Sequence, residues 1–164
     1  QEKSGIEDIS SLSSCVSENF TDYYKFWKHN GLWLFDSPEI IHELAKEQQI
    51  DLSDCEMFYY EVYELEYDEE DKTWYPFYSE QSIPINAVEP GKKDLQGFDV
   101  VTFSSGTDAE CSPLSCNGLA TEIKTNRHCL LKSLDQAIKL LDEGRFNNCE
   151  PGPFRVFAVY RSVI

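Results

Sequence analysis

The loop Glu110-Cys111-Ser112-Pro113-Leu114-Ser115-Cys116-Asn117-Gly118 and the pair His128-Cys129 gather the residue types that could do covalent or metal chemistry. Loops held by a scaffold commonly carry sites. A cysteine attacks as the thiolate, so a base that takes its proton makes it a nucleophile. Cys116 with His128 supplies that pairing. Asn117 or Asn126 could orient the imidazole, and the backbone amides around Gly118 could receive an oxyanion.

Two other readings use the same residues. Cys111, Cys116, His128 and Cys129 are thiolate and imidazole donors of the kind zinc accepts, but the spacing argues against a zinc site. Four residues separate Cys111 from Cys116. Adjacent residues of a strand point to opposite faces, so His128 and Cys129 could not both reach one ion from a strand. The structural reading asks least: Cys129 is a small hydrophobe in its strand, and Cys111 with Cys116 shapes or cross-links the loop. No metal ligand set and no cofactor is assigned. His29 at a helix end and His42 on a polar helix side read as surface residues. Glu64 and Glu66 share one strand face, which acid–base chemistry could use, but an acidic outer face explains them without any reaction and is the favoured reading. The chain has no Gly-rich phosphate loop, Gly-x-Ser-x-Gly elbow or His-Glu-x-x-His pattern.

The elements that must position these residues can be read from periodicity and punctuation. Phe20, Tyr23, Tyr24, Phe26 and Trp27 recur at helical spacing and predict a helix at 18–29. Ser37-Pro38 starts a second helix, from about 38 to 48, with Ile40, Ile41, Leu44 and Ala45 as its buried stripe. Residues 55–67, the polar turn 68–72 and the segment 73–78 read as a β-hairpin, with Pro76 placing the second arm at a sheet edge. Residues 82–97 read as a connection and 98–103 as a strand. Ser133 caps a helix carrying Leu134, Ala137, Ile138 and Leu141, Gly144 stops it, and 154–160 is a final strand.

Strand, Ser-capped helix, Cys and strand thus occur at 32–67 and again at 128–160. The expected fold class is α/β, with α+β as the alternative: one domain over 1–164 with a mixed sheet and helices mainly on one face. Its parts are an N-terminal helical segment (1–30), a first β-α-β unit with hairpin and strand (31–103), the Cys-containing loop (104–127) and a second β-α-β unit (128–164).

Charge narrows the classes of partner. The chain carries 30 acidic and 14 basic residues, a net charge of −16. Residues 1–120 hold a net −18 and residues 121–164 a net +2. From Glu47 to Asp71 there are eleven Asp or Glu and no Lys, Arg or His. Such a field repels nucleic acid and anionic membrane and attracts basic partners. No apolar run approaches the roughly 20 residues needed to span a bilayer. A soluble, cytoplasmic protein with mostly reduced thiols is expected, although Asn19-Phe20-Thr21 would be a glycosylation sequon outside the cell.

The expected function is non-enzymatic: holding or neutralising a basic protein partner, in the manner of an inhibitor or immunity protein. The expected surface is the hairpin: Glu61, Glu64, Glu66, Tyr67, Glu69, Glu70, Asp71, Trp74 and Tyr75, aromatic anchors beside carboxylates. The alternative is a cysteine-dependent enzyme with Cys116 as nucleophile and His128 as base. Oligomeric state is not legible.

Overall fold

A computed structural model describes residues 34–35, 37–77, 88–103, 112–115 and 118–162. The helix expected at 18–29 and the sequon at Asn19 lie outside the described residues. In chain order the elements are α1 (Pro38–Gln48), β1 (Phe58–Asp68), β2 (Thr73–Pro76), β3 (Lys93–Thr102), a short 3-10 turn (Leu119–Thr121), α2 (Leu134–Asp142) and β4 (Phe154–Ser162).

Both helices start where their serines direct. Ser37 accepts from the Ile40 backbone N–H at 3.4 Å and Ser133 from that of Gln136 at 3.2 Å, satisfying donors that have no partner within the helix. Leu44 and Ala45 of α1, and Ala137 and Leu141 of α2, are the buried residues of the two stripes. Gly144 takes a left-handed φ of 69° just beyond α2, a conformation that costs glycine little. The hairpin forms at the acidic turn because Asp68 Oδ1 accepts from the Glu70 and Asp71 backbone N–H groups. Its second arm ends at Pro76 and is a sheet edge, as the proline implies.

The fold is mixed α/β: an open four-stranded antiparallel sheet, order β2-β1-β4-β3, with two helices. Three expectations need correction. First, the sheet is not mixed, because each neighbouring pair of strands is antiparallel. Second, β3 begins at Lys93 rather than 98. Lys93 and Leu95 pair with Ser162 and Tyr160, and the register slips one residue before Gly97, so the glycine is a bulge rather than part of a loop. Its φ is 151°, and a Cβ there would lie 2.7 Å from Leu130 Cβ and from the Leu131 carbonyl oxygen.

Third, 128–131 is not a strand. Cys129 has a left-handed φ of 59°, which breaks the extended run, and one antiparallel bridge joins Leu131 to Phe98. Leu131 and β4 therefore run the same way on opposite sides of β3, with α2 connecting them. Of the first unit's opening strand, Leu34 and Phe35 belong to no strand.

β4 is central and buried along most of its length. Phe154 and Val156 point to one face, where Tyr67 and Val100, Ala137 and Leu141 of α2, and Leu114, Ile123, Leu131 and Phe146 complete the core. Arg155 and Phe157 alternate to the other face.

Candidate functional site

Three groupings of chemistry-bearing side chains stand out, and the first is the β1–β2 hairpin. Its expected recognition residues divide sharply. Tyr67 is buried in the core, and burial, with the nearby Asp142, Glu69 and Asp68 charges, pushes its hydroxyl above the ordinary tyrosine range. Trp74 packs on Tyr63 and Tyr67 and donates its indole N–H to Asp142 on α2 at 2.9 Å. Glu69 accepts the Gly152 backbone N–H at 2.9 Å. Glu66 accepts from Arg155 Nε at 3.0 Å, and Glu61 pairs with Lys93. Glu64, Glu70, Asp71 and Tyr75 remain exposed, with Tyr75 donating its hydroxyl to Asp71 at 2.9 Å. That bond, together with the Asp71 charge, raises the Tyr75 hydroxyl from its ordinary value. Among the described residues no cation is paired with Glu64 or Glu70.

The second grouping is the turn at 126–130. Asn126 Oδ1 accepts from the His128 and Leu130 backbone N–H groups at 2.9 and 3.1 Å, and its Nδ2 donates to the Gln96 carbonyl at 2.6 Å. This holds His128 buried against the edge of the Phe58 ring, with Arg127 Nε donating to its Nε2 at 3.3 Å. Nε2 thus acts as acceptor and Nδ1 carries the proton, yet Nδ1 has no hydrogen-bond partner among the described residues. Asn126 serves the turn's backbone, not the imidazole. Cys111, Cys116 and Asn117 lie outside the described residues. Cys129 is buried, in a turn rather than a strand, and Cys55 and Cys149 are free thiols. Among the described residues no three His, Cys, Asp or Glu side chains are placed to hold a metal ion.

The third lies on the sheet face away from α2. The Arg155 guanidinium sits between the Phe77 and Phe103 rings, 3.9 Å from each centroid, beside Glu66. Burial lowers its pKa, and the Glu66 carboxylate opposes that shift. On β3, Asp99 accepts from Ser112 Oγ at 2.6 Å and from the Val100 backbone N–H at 2.9 Å. Burial pushes its carboxyl up to about 6 against those two hydrogen bonds. Tyr60, whose ring meets Phe157 edge-on, has its hydroxyl raised by burial and by the Asp99 charge.

No family model matches the chain, and no curated protein or solved structure matches it.

Asp99 and Arg155 were missed as special from sequence. The signal for both was a charge inside an apolar strand: Phe98-Asp99-Val100-Val101 and Phe154-Arg155-Val156-Phe157. Lys93 stood in an expected connection and so escaped attention.

Proposed function

We propose that the chain is an acidic binding protein that captures a basic protein partner through the outer end of the β1–β2 hairpin. The observation that carries this reading is the contrast among carboxylates: Glu61 and Glu66 already have cations, whereas Glu64 and Glu70 are exposed and have none among the described residues, and Tyr75 on the same hairpin is exposed too. Exposed charge of one sign steers an oppositely charged partner and raises its on-rate, and an exposed tyrosine supplies contact area at small entropic cost. An inhibitor-like or immunity-like role fits such a surface, and the free thiols of Cys55 and Cys149 favour a reducing, cytoplasmic setting. Among the described residues no helix is long and apolar enough to cross a membrane.

The test is the association rate of a Lys/Arg-rich probe peptide measured by stopped flow from low to physiological salt. Wild type should associate faster at low salt, and Glu64→Gln with Glu70→Gln should slow capture several-fold and flatten the salt dependence. A rate indifferent to both would make the hairpin a solubility feature only.

A second reading, cysteine-dependent catalysis at Cys116 with His128 as base, draws support from the buried imidazole and requires its Nε2 to release the Arg127 hydrogen bond before it can take the thiol proton. Alkylation rate against pH tests it. An activated Cys116 reacts well below the ordinary thiol pKa of about 8.5 and loses that advantage in His128→Gln, whereas an ordinary profile removes the reading.

A further inference from the structure

Lys93 opens the edge strand β3, and its ammonium is surrounded by groups from two other strands and the chain just before it. Two are carboxylates: Glu61 on β1 and Glu89, the latter at 2.7 Å. Two are aromatic faces: Tyr160 on β4, with Nζ 4.2 Å from the ring centroid, and Tyr59 on β1, at 5.2 Å. The register explains the convergence. Tyr59 stands opposite Tyr160, Glu61 is two residues further along the same face of β1, and Lys93 stands opposite Ser162. Hydrogen bonds to Glu61 and Glu89 raise the Lys93 pKa, so the occupant stays charged.

Aromatic faces attract cations through the ring quadrupole, and paired rings with carboxylates are the composition that recognises alkylammonium groups. Two carboxylates against one ammonium leave the cluster one negative charge in excess. It is also reachable from solvent, since the Glu61 side chain is 39% exposed and that of Glu89 is 63% exposed. We propose that Tyr59, Tyr160, Glu61 and Glu89 form a binding site for a lysine side chain of a basic partner, with Lys93 as the internal occupant that yields it. The proposal rests on the reading of the chain as a binder of a basic partner and specifies the side chain recognised. Lys93 reaches the site on a flexible four-carbon stem from a strand that has no neighbouring strand on its outer side at this end among the described residues, so it can leave without disturbing the sheet. While it stays, the carboxylates are not left facing each other uncompensated.

The experiment uses n-butylammonium, the lysine side chain without its backbone, titrated into wild type and into Lys93→Ala at low salt while the tyrosine ring resonances are followed by NMR. The emptied site should bind the probe at least about ten-fold more tightly than wild type, with shifts at Tyr59 and Tyr160, and Lys93→Ala combined with Tyr160→Ala should lose that gain. If circular dichroism shows the alanine variant unfolded, Lys93→Met, which keeps the stem, carries the same titration. Equal affinity in wild type and the emptied site, or a gain that survives loss of Tyr160, overturns the proposal. Glu64→Gln with Glu70→Gln should leave probe binding unchanged while slowing capture of the basic peptide. Failure of this site and failure of hairpin steering are thereby read separately.

Discussion

The two faces of the sheet are built on opposite principles. Towards α2, Phe154, Val156, Val100 and Tyr67 meet Ala137 and Leu141 in an apolar layer that gives way only further along the strands to the Lys93–Glu61 pair. On the far face the same strands present Arg155, Glu66 and Asp99 among Phe103, Phe157 and Tyr60. The first face holds by burial, which needs only shape and hydrophobicity. The second depends on each buried charge keeping its partner, so removing one group costs more than its own contacts.

The largest effect expected is on the charged face. Arg155→Ala strips Glu66 of its cation and removes the group packed between two rings, and should cost about 3–4 kcal/mol in urea unfolding. Replacing both Arg155 and Glu66 with apolar residues of similar size should restore much of the loss. If Arg155→Ala alone is nearly neutral, the pair is a surface pair and the contrast between the faces fails. Leu141→Ala, on the apolar face, should cost about 3 kcal/mol, and no second substitution among charged residues should rescue it.

Asp99 gives the comparison a pH axis. Its carboxyl titrates near 6 in the fold against an ordinary value of 3.8, so the folded state holds the proton more tightly than the unfolded chain. The stabilising contribution is full below about pH 4 and is lost as pH rises through about 6. The displacement corresponds to about 3 kcal/mol. Asp99→Asn keeps an acceptor for Ser112 and Val100 but never ionises. It should match wild type at pH 4 and exceed it at pH 8 by up to about 3 kcal/mol, checked by denaturant midpoints across pH. A difference independent of pH would mean that burial does not raise this carboxyl.

The apolar face was the legible one. Its stripe on α2 recurs every three or four residues, its strands alternate, and Ser133 and Gly144 mark the helix ends within the same stretch of chain. The charged face could not be read this way, because Arg155 and its partner Glu66 lie 89 residues apart and each alone resembles a surface charge. Nor does local pattern reveal that Gly97 is a bulge pressed against Leu130, since that contact comes from a turn some thirty residues downstream. Counting carboxylates located the acidic hairpin but could not say which of them had cations, and that division sharpens the candidate surface.

Glu64 and Glu66 put the division to its finest test, two residues apart on one strand. Read along β1 both point alike, yet Glu64 is exposed and Glu66 meets Arg155 beside the rings. Glutamine at 64 removes a charge that water already solvates, so stability should stay within about 0.5 kcal/mol of wild type. Glutamine at 66 leaves a buried guanidinium with a neutral acceptor in place of a carboxylate, which should cost about 2 kcal/mol. For capture of a basic peptide the order should reverse, because the on-rate responds to charge that projects into solvent and little to charge already neutralised. Measured side by side, equal stability losses would erase the distinction between the two carboxylates. Equal on-rates would instead show that the exposed one does not steer.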